Sequence, residues 1–220
     1  MTDIFRELED DIRRDRLDRL WKNHGNKIIA AALVLVIAVA AWKGYEWRIR
    51  VAAEGAAAQF EEALKLSRDG KGEEAQAAFT ALAAKAPDSY GALGRLRAAA
   101  ELGGRDAEAG AAAFDALAAD TALDADSREL ARLRAALLRL DGPKAAEART
   151  TLEPLARPEG PYRHTAREML GLAALKAGDI EAAGRWFDAV VTDPQTPQGL
   201  RGRVDIYLGL VRGGPAKPAS

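Results

Sequence analysis

Hydrophobic and polar positions divide this chain sharply near its beginning. Between Lys27 and Lys43 runs IIAAALVLVIAVAAW, Ile28 to Trp42, fifteen apolar residues without a polar interruption. As a helix it covers roughly 22 Å, short of the roughly 30 Å hydrocarbon core of a bilayer. The flanks supply the remainder. Trp21 on one side and Trp42, Tyr45 and Trp47 on the other suit the headgroup level, and Lys27 and Lys43 can snorkel outward along their methylene stems. From Trp21 to Trp47 a helix reaches about 39 Å, close to a full bilayer with its interfaces. The pattern therefore predicts one membrane-spanning helix over residues 25–47, with Ile28, Leu33, Leu35, Ile37 and Trp42 in the span. Two other readings stay open. Ala38-Val39-Ala40 has the small-x-small form of a signal-peptide cleavage site, although the segment before it is long and carries as many acids as bases. A buried soluble helix would need an apolar shell that the rest of the chain does not provide.

Beyond the span the apolar positions become short helical patterns separated by Gly, Pro and Asp. Ala, Leu, Arg and Glu dominate and no segment alternates like a strand, so the fold class is all-α. Helices are predicted near 48–69, 72–86, 88–102, 105–119, 126–140, 143–156, 162–177, 179–191 and 198–211. Gly70, Pro87, Gly103-Gly104, Gly142-Pro143, Pro158 to Pro161, Gly178 and Pro194 to Pro197 mark the stops. Residues 214–220 read as a disordered C-terminal tail. Asn23-His24-Gly25-Asn26 reads as an interfacial break ahead of the span.

The helical patterns have a period. Leu170-Gly171, Ala174, Gly178, Ala183, Phe187, Val190 and Pro194 resemble the tetratricopeptide signature. A matching frame earlier in the chain holds Ala63, Leu66, Gly70, Ala75, Phe79, Leu82 and Pro87. Phe79, Phe114, Leu152 and Phe187 follow one another at 35, 38 and 35 residues, bracketing the 34-residue repeat. Small residues let two helices approach, the large residue fills the space between hairpins, and Gly70 or Gly178 permits the turn. A hairpin cannot bury its own apolar face, so about four must stack, with a capping helix near 198–211. The middle units are degenerate: Gly110 stands for the small Ala, Ala122 for Pro, and Leu152 for Phe.

Charge sets the orientation of the span. Arg13, Arg14, Arg16, Arg19, Lys22 and Lys27 precede it, against Lys43, Arg48 and Arg50 after it. Basic residues favour the cytoplasmic side, which makes residues 1–24 a cytoplasmic tail and places 48–213 across the membrane. In that tail Ile4, Leu8 and Ile12 share a helical face opposite Leu17, Leu20 and Trp21, so one straight amphipathic helix does not fit. It is either a docking segment or a solvated tail that sets topology. The net charge of −1 and the absence of a basic face give no sign of nucleic-acid binding, and a chain without cysteine has no thiol chemistry or disulfide. Abundant Ala and a preference for Arg over Lys point to a high-GC bacterial genome, with the periplasm as the far compartment.

Little in the chain carries chemistry. His164, beside Arg163 at a helix start, reads as a surface or capping residue rather than a general base. Glu61-Glu62 and Glu73-Glu74 are adjacent pairs whose side chains diverge around a helix. Asp124 and Asp126 look like N-cap choices before Ser127, not a calcium loop. No phosphate loop, nucleophile elbow or metal-ligand spacing appears, so the chain reads as non-enzymatic, without cofactor or metal.

In the tetratricopeptide family the first helix of each hairpin lines the concave face, from positions around the paired L-G. Carried onto this chain, that resemblance points to Phe60 and Leu64, Arg95 and Leu102, then Leu133, Leu137 and Leu140, and finally Glu168, Leu172 and Leu175. Such an apolar trough with interspersed charges suits an apolar peptide or a partner helix. The same leucines would also serve as ordinary core between hairpins.

The start MTDIFRELEDDIRRDRLDRLWK, the immediate span, the exit WKGYEW and an Ala-rich tetratricopeptide-like domain together resemble the YfgM-type ancillary subunit of the bacterial Sec translocon, in its alphaproteobacterial form. The resemblance implies a single-pass inner-membrane protein with a periplasmic repeat domain. It further implies association with translocon subunits and with a membrane-anchored periplasmic chaperone of the prolyl-isomerase-like type, in handing over secreted chains. It carries no catalytic residue. A different reading is a structural adaptor bridging cytoplasmic and periplasmic factors in cell-envelope assembly or division.

Overall fold

The structure, a computed structural model, describes the backbone of residues 2–86 and 88–213, and the side chains from residue 21 onward except those of 23, 28, 88 and 89. Pro87, the tail at 214–220, the side chains of the N-terminal segment and that of Ile28 lie outside the described residues. No strand occurs among those described. The chain separates into two compact units, residues 1–54 and 55–220.

The first unit is helical throughout its described length, being part of α1 (Thr2–Arg68). Leu33, Leu35, Ile37 and Trp42 are all more than half exposed, as are Trp21, Tyr45 and Trp47. Among the described residues this is the one helix long and apolar enough to cross a membrane. The break expected at residues 23–26 is absent, because α1 continues through them. A glycine inside a helix costs about 1 kcal/mol relative to alanine without obliging the chain to turn, and here the Trp21 indole lies over Gly25, 3.6 Å from where a Cβ would stand. No break separates 47 from 48 either. Glu46 takes Lys43 at 2.8 Å and Arg50 at 3.1 Å, pairs three and four residues apart that favour continued helix. The expected helix at 48–69 is thus the C-terminal part of α1.

In the second unit the end of α1 is followed by α2 (Gly72–Lys85), α3 (Asp88–Arg105), α4 (Ala107–Ala119), α5 (Ala125–Arg139), α6 (Ala145–Leu152), a 3₁₀ turn (Glu153–Ala156), α7 (Arg163–Lys176), α8 (Ile180–Val191) and α9 (Gln198–Gly213). From α2 onward each helix packs on the next, and α3 also touches α5 and α7 touches α9, the nearest-neighbour pattern of stacked hairpins. The helix expected over 143–156 is divided. Pro154 lacks the N–H that an α-helix interior requires, and the last turn tightens to 3₁₀.

The periodic large residues organise the core. Phe79, Phe114, Leu152 and Phe187 are each at most 3% exposed, and each belongs to a different apolar cluster. The first and fourth hairpins also share a turn. Gly70 (φ +76°) and Gly178 (φ +78°) end their helices in the left-handed region. In the first, the Lys71 N–H reaches the Leu66 carbonyl at 2.9 Å and the Gly70 N–H reaches Ser67 at 3.1 Å; in the second, Asp179 reaches Ala174 and Gly178 reaches Leu175, both at 3.0 Å. The middle hairpins turn differently. Among the described residues no left-handed residue stands in their turns; Asp106 caps α4 by accepting the Ala109 N–H at 3.0 Å, as Asp179 caps α8, and between the two middle hairpins Asp124 caps α5 by accepting that of Ser127 at 2.8 Å. Gly110 is no degenerate alanine: a Cβ there would stand 2.2 Å from the Gly103 Cα, so α3 and α4 touch backbone to backbone.

Candidate protein-interaction face

Helices α3, α5 and α7 are the first members of successive hairpins, and their side chains line two open depressions. One, of ≈ 280 Å³, lies between α3 and α5: Leu93, Leu96, Arg97 and Ala100 face Leu130 and Arg134, with the buried Phe114 of α4 also in the lining. The other, of ≈ 440 Å³, lies between α5 and α7, where Leu137, Leu140 and Asp141 face Met169, Leu172, Ala173, Leu175 and Lys176. Leu130, Arg134 and Leu137 recur four and three residues apart, so a single stripe of α5 borders both depressions.

The structure distributes the sequence-predicted groove residues among several places. Leu137, Leu140, Leu172 and Leu175 meet in the depression between α5 and α7. All four are half-buried: the first pair packs on the cluster around Leu152, the second on the cluster around Phe187. Leu133 is only 3% exposed and turned into the core. Glu168 is 2% exposed and held by Arg203 of α9, with Nε to Oε1 at 2.8 Å and Nη2 to Oε2 at 3.0 Å. Arg95 and Leu102 lie on the other side of α3, in a depression of ≈ 220 Å³ shared with Gln76 and Thr80 of α2 and Ala113 and Leu117 of α4. There Arg95 pairs with Asp120 at 2.5 Å. Phe60 and Leu64 pack on the Phe79 cluster; the Phe60 ring stands 5.3 Å from that of Phe79 and 6.2 Å from that of Tyr90.

The physical reason is register. Leu93, Leu96, Arg97 and Ala100 form an i, i+3, i+4, i+7 set toward α5, whereas Arg95 is about 200° from Leu93 around the helix. That spacing was legible in the sequence, yet a degenerate repeat does not say which face of α3 meets which neighbour. Met169 was missed for a similar reason, sitting one residue beyond the transferred position at Glu168.

Electrostatically the depression between α5 and α7 is bordered by one ion pair, Lys176 to Asp141 at 2.8 Å, both well exposed. Such a pair contributes little to stability but leaves both charges available for orientation. The polar centre of the unit lies elsewhere. Asp193, in the turn between α8 and α9, receives Arg163 Nε at 2.8 Å, His164 Nε2 at 3.0 Å and Arg167 Nη1 at 3.1 Å on one oxygen, and the Gln195 N–H at 3.0 Å on the other. The Arg163 hydrogen bond first, and the Gln195 N–H next, hold its carboxyl well below the usual carboxylate range, while burial works in the opposite direction. Arg167, 8% exposed, also donates to the Ala156 and Ala189 carbonyls at 3.0 and 3.1 Å. His164 is therefore a strut tying α7 to the α8–α9 turn, a role its neighbours in sequence did not reveal.

Stacked helical hairpins whose first helices present apolar, half-buried side chains to solvent define a protein-interaction module. The chain belongs to the tetratricopeptide repeat-like domain family, whose model matches residues 19–208. The match begins ahead of the apolar run, so it takes in that run together with the hairpins. No curated protein and no solved structure matches the chain.

Proposed function

We propose that the chain is a membrane-anchored interaction protein that holds or hands over apolar segments of secreted or envelope proteins beside the Sec translocon. In this reading residues 1–24 are cytoplasmic, 25–47 span the bacterial inner membrane, and 48–213 work in the periplasm with translocon subunits and a membrane-anchored chaperone. The anchor rests on an apolar helix of sufficient length and on the basic residues that precede it. The observation that carries the binding function is the meeting of Leu137, Leu140, Leu172 and Leu175 in one open depression. Burying the exposed halves of four leucines contributes on the order of 3–6 kcal/mol before association costs, which suits transient handover better than permanent assembly.

The test places a photo-crosslinking residue at Leu140 or Leu172 in the full chain, in membranes. Adducts with translocon subunits, the chaperone or nascent secreted chains support the reading. Adducts confined to division or wall-assembly factors replace it with the adaptor reading, and the absence of adducts at both positions overturns it.

A further inference from the structure

The depression between α3 and α5 holds charge that the fold leaves unused. Leu93, Leu96, Ala100 and Leu130 line it with the buried Phe114, and Leu93 is 46% exposed. Arg97 and Arg134, both exposed, enter the lining from the two helices. Two arginines on other faces of the same helices are paired, Arg95 with Asp120 and Arg139 with Asp115 at 2.7 Å. Arg97 and Arg134 meet no carboxylate among the described residues.

The sequence around them explains why. The helical neighbours of Arg134, three and four residues away, are Leu130, Ala131, Leu137 and Leu138, none of which can pair with it. No acid follows Glu129 on α5, and Glu129 itself is taken by Arg157. Around Arg97 the corresponding residues are Leu93, Gly94, Ala100 and Glu101, and the Glu101 carboxylate instead accepts the Ser67 hydroxyl at 2.6 Å. Two guanidinium groups thus border apolar surface with no counter-charge on either helix in reach.

The neighbouring depression supplies a contrast. Between α5 and α7 the bordering charges, Lys176 and Asp141, neutralise each other, so an uncharged apolar segment can cover them. Between α3 and α5 an uncharged segment would take two guanidinium groups out of water with no partner in return, and a basic segment would be repelled. A segment that sets a large apolar side chain beside Leu93 and Leu130 while bringing a carboxylate to each arginine meets both demands. Arginine suits this role better than lysine, because its planar fork donates two parallel hydrogen bonds to one carboxylate. We infer that the depression between α3 and α5 is a second docking site, for a protein segment whose large apolar residue is flanked by Asp or Glu, as on one face of an acidic amphipathic helix. It selects by charge where the depression between α5 and α7 does not. The inference needs only the interaction role of the hairpin stack, and not an occupant between α5 and α7.

The probe is a fluorescently labelled helical peptide with leucines on one face and glutamates beside them, amide-capped so that only side-chain carboxylates are tested. It is titrated onto the full-length chain in detergent and read by anisotropy. Replacing its glutamates by glutamine is expected to weaken binding about tenfold, and replacing them by lysine to abolish it. Arg97→Gln and Arg134→Gln should each weaken the glutamate peptide about threefold, and together about tenfold. Their thermal midpoints should match the parent, because neither arginine holds a partner in the fold. Leu93→Ser should also weaken the peptide, whereas Leu172→Ser, in the depression between α5 and α7, should leave its affinity unchanged. The inference is overturned by no binding of the glutamate peptide, by equal affinity for the glutamine peptide, or by indifference to the double arginine variant. Loss with Leu172→Ser alone, or displacement by short-chain phosphatidylglycerol as readily as by unlabelled peptide, overturns it as well.

Discussion

Glu168 and Arg203 meet side-on across α7 and α9, two parallel hydrogen bonds of 2.8 and 3.0 Å joining a carboxylate that is 2% exposed to a guanidinium whose side chain is 55% exposed. The pair fastens the terminal helix to the last full hairpin, and its asymmetry makes the two ends unequal. Removing Arg203 strands a buried carboxylate, while removing Glu168 frees an arginine that water already reaches. Arg203→Ala is therefore expected to lower the thermal midpoint more than Glu168→Gln. The double variant Glu168→Met with Arg203→Met should lie closer to the parent than Arg203→Ala does. Calorimetry of the three variants checks the order.

A second prediction concerns Gly171 and Phe187. A Cβ on Gly171 would stand 2.4 Å from Phe187 Cε1, and that ring is completely buried. Gly171→Ala is expected to cost about 1–3 kcal/mol by overpacking. Combining it with Phe187→Leu should recover part of the loss through the space released. Gly55, helical with nothing within 4 Å of a Cβ, should respond oppositely, Gly55→Ala stabilising by a few tenths to about 1 kcal/mol. Urea unfolding measures all three.

Asp193 gives the pH dependence. Its carboxyl is depressed in the folded chain relative to an unfolded value near 3.9, so the folded state binds fewer protons. The stabilisation it provides is complete above about pH 5 and is lost as pH falls through and below the unfolded value. Asp193→Asn should lower stability at neutral pH, since Arg163 and Arg167 lose their counter-charge. It should also flatten the acid limb of a plot of thermal midpoint against pH below about pH 4. An unchanged acid limb would show that other carboxylates govern it.

The proposed anchor predicts a depth-dependent response to charge. Arginine at Leu35 or Ile37, near the middle of the apolar run, is expected to disfavour insertion by about 2.5–3.5 kcal/mol each. Together they should release the chain from membranes in carbonate extraction. Arginine at Trp21, at the proposed interface, should leave the chain membrane-bound.

How far the sequence could be read depended on whether the physics involved was local. The apolar run from Ile28 to Trp42, the order of helices and the 35-, 38- and 35-residue spacing all follow from one-dimensional pattern, and Phe79, Phe114, Leu152 and Phe187 each seed a cluster. The left-handed turns at Gly70 and Gly178 were legible for the same reason, since the backbone there needs a residue without a Cβ. Gly25 misled, because a glycine permits a break without compelling one, and the Trp21 ring covers it.

Sequence alone thus determined the membrane-length apolar helix, the all-helical hairpin stack and the residues at its centre, because periodicity and turn chemistry act over a few neighbouring positions. Tertiary structure alone decided which face of α3 meets α5, that Leu133 and Glu168 turn inward while Leu137, Leu140, Leu172 and Leu175 share an opening, and that Asp193 gathers Arg163, His164 and Arg167. Those choices depend on the angle at which one helix settles on another, which groups distant in the chain fix together and no single segment encodes.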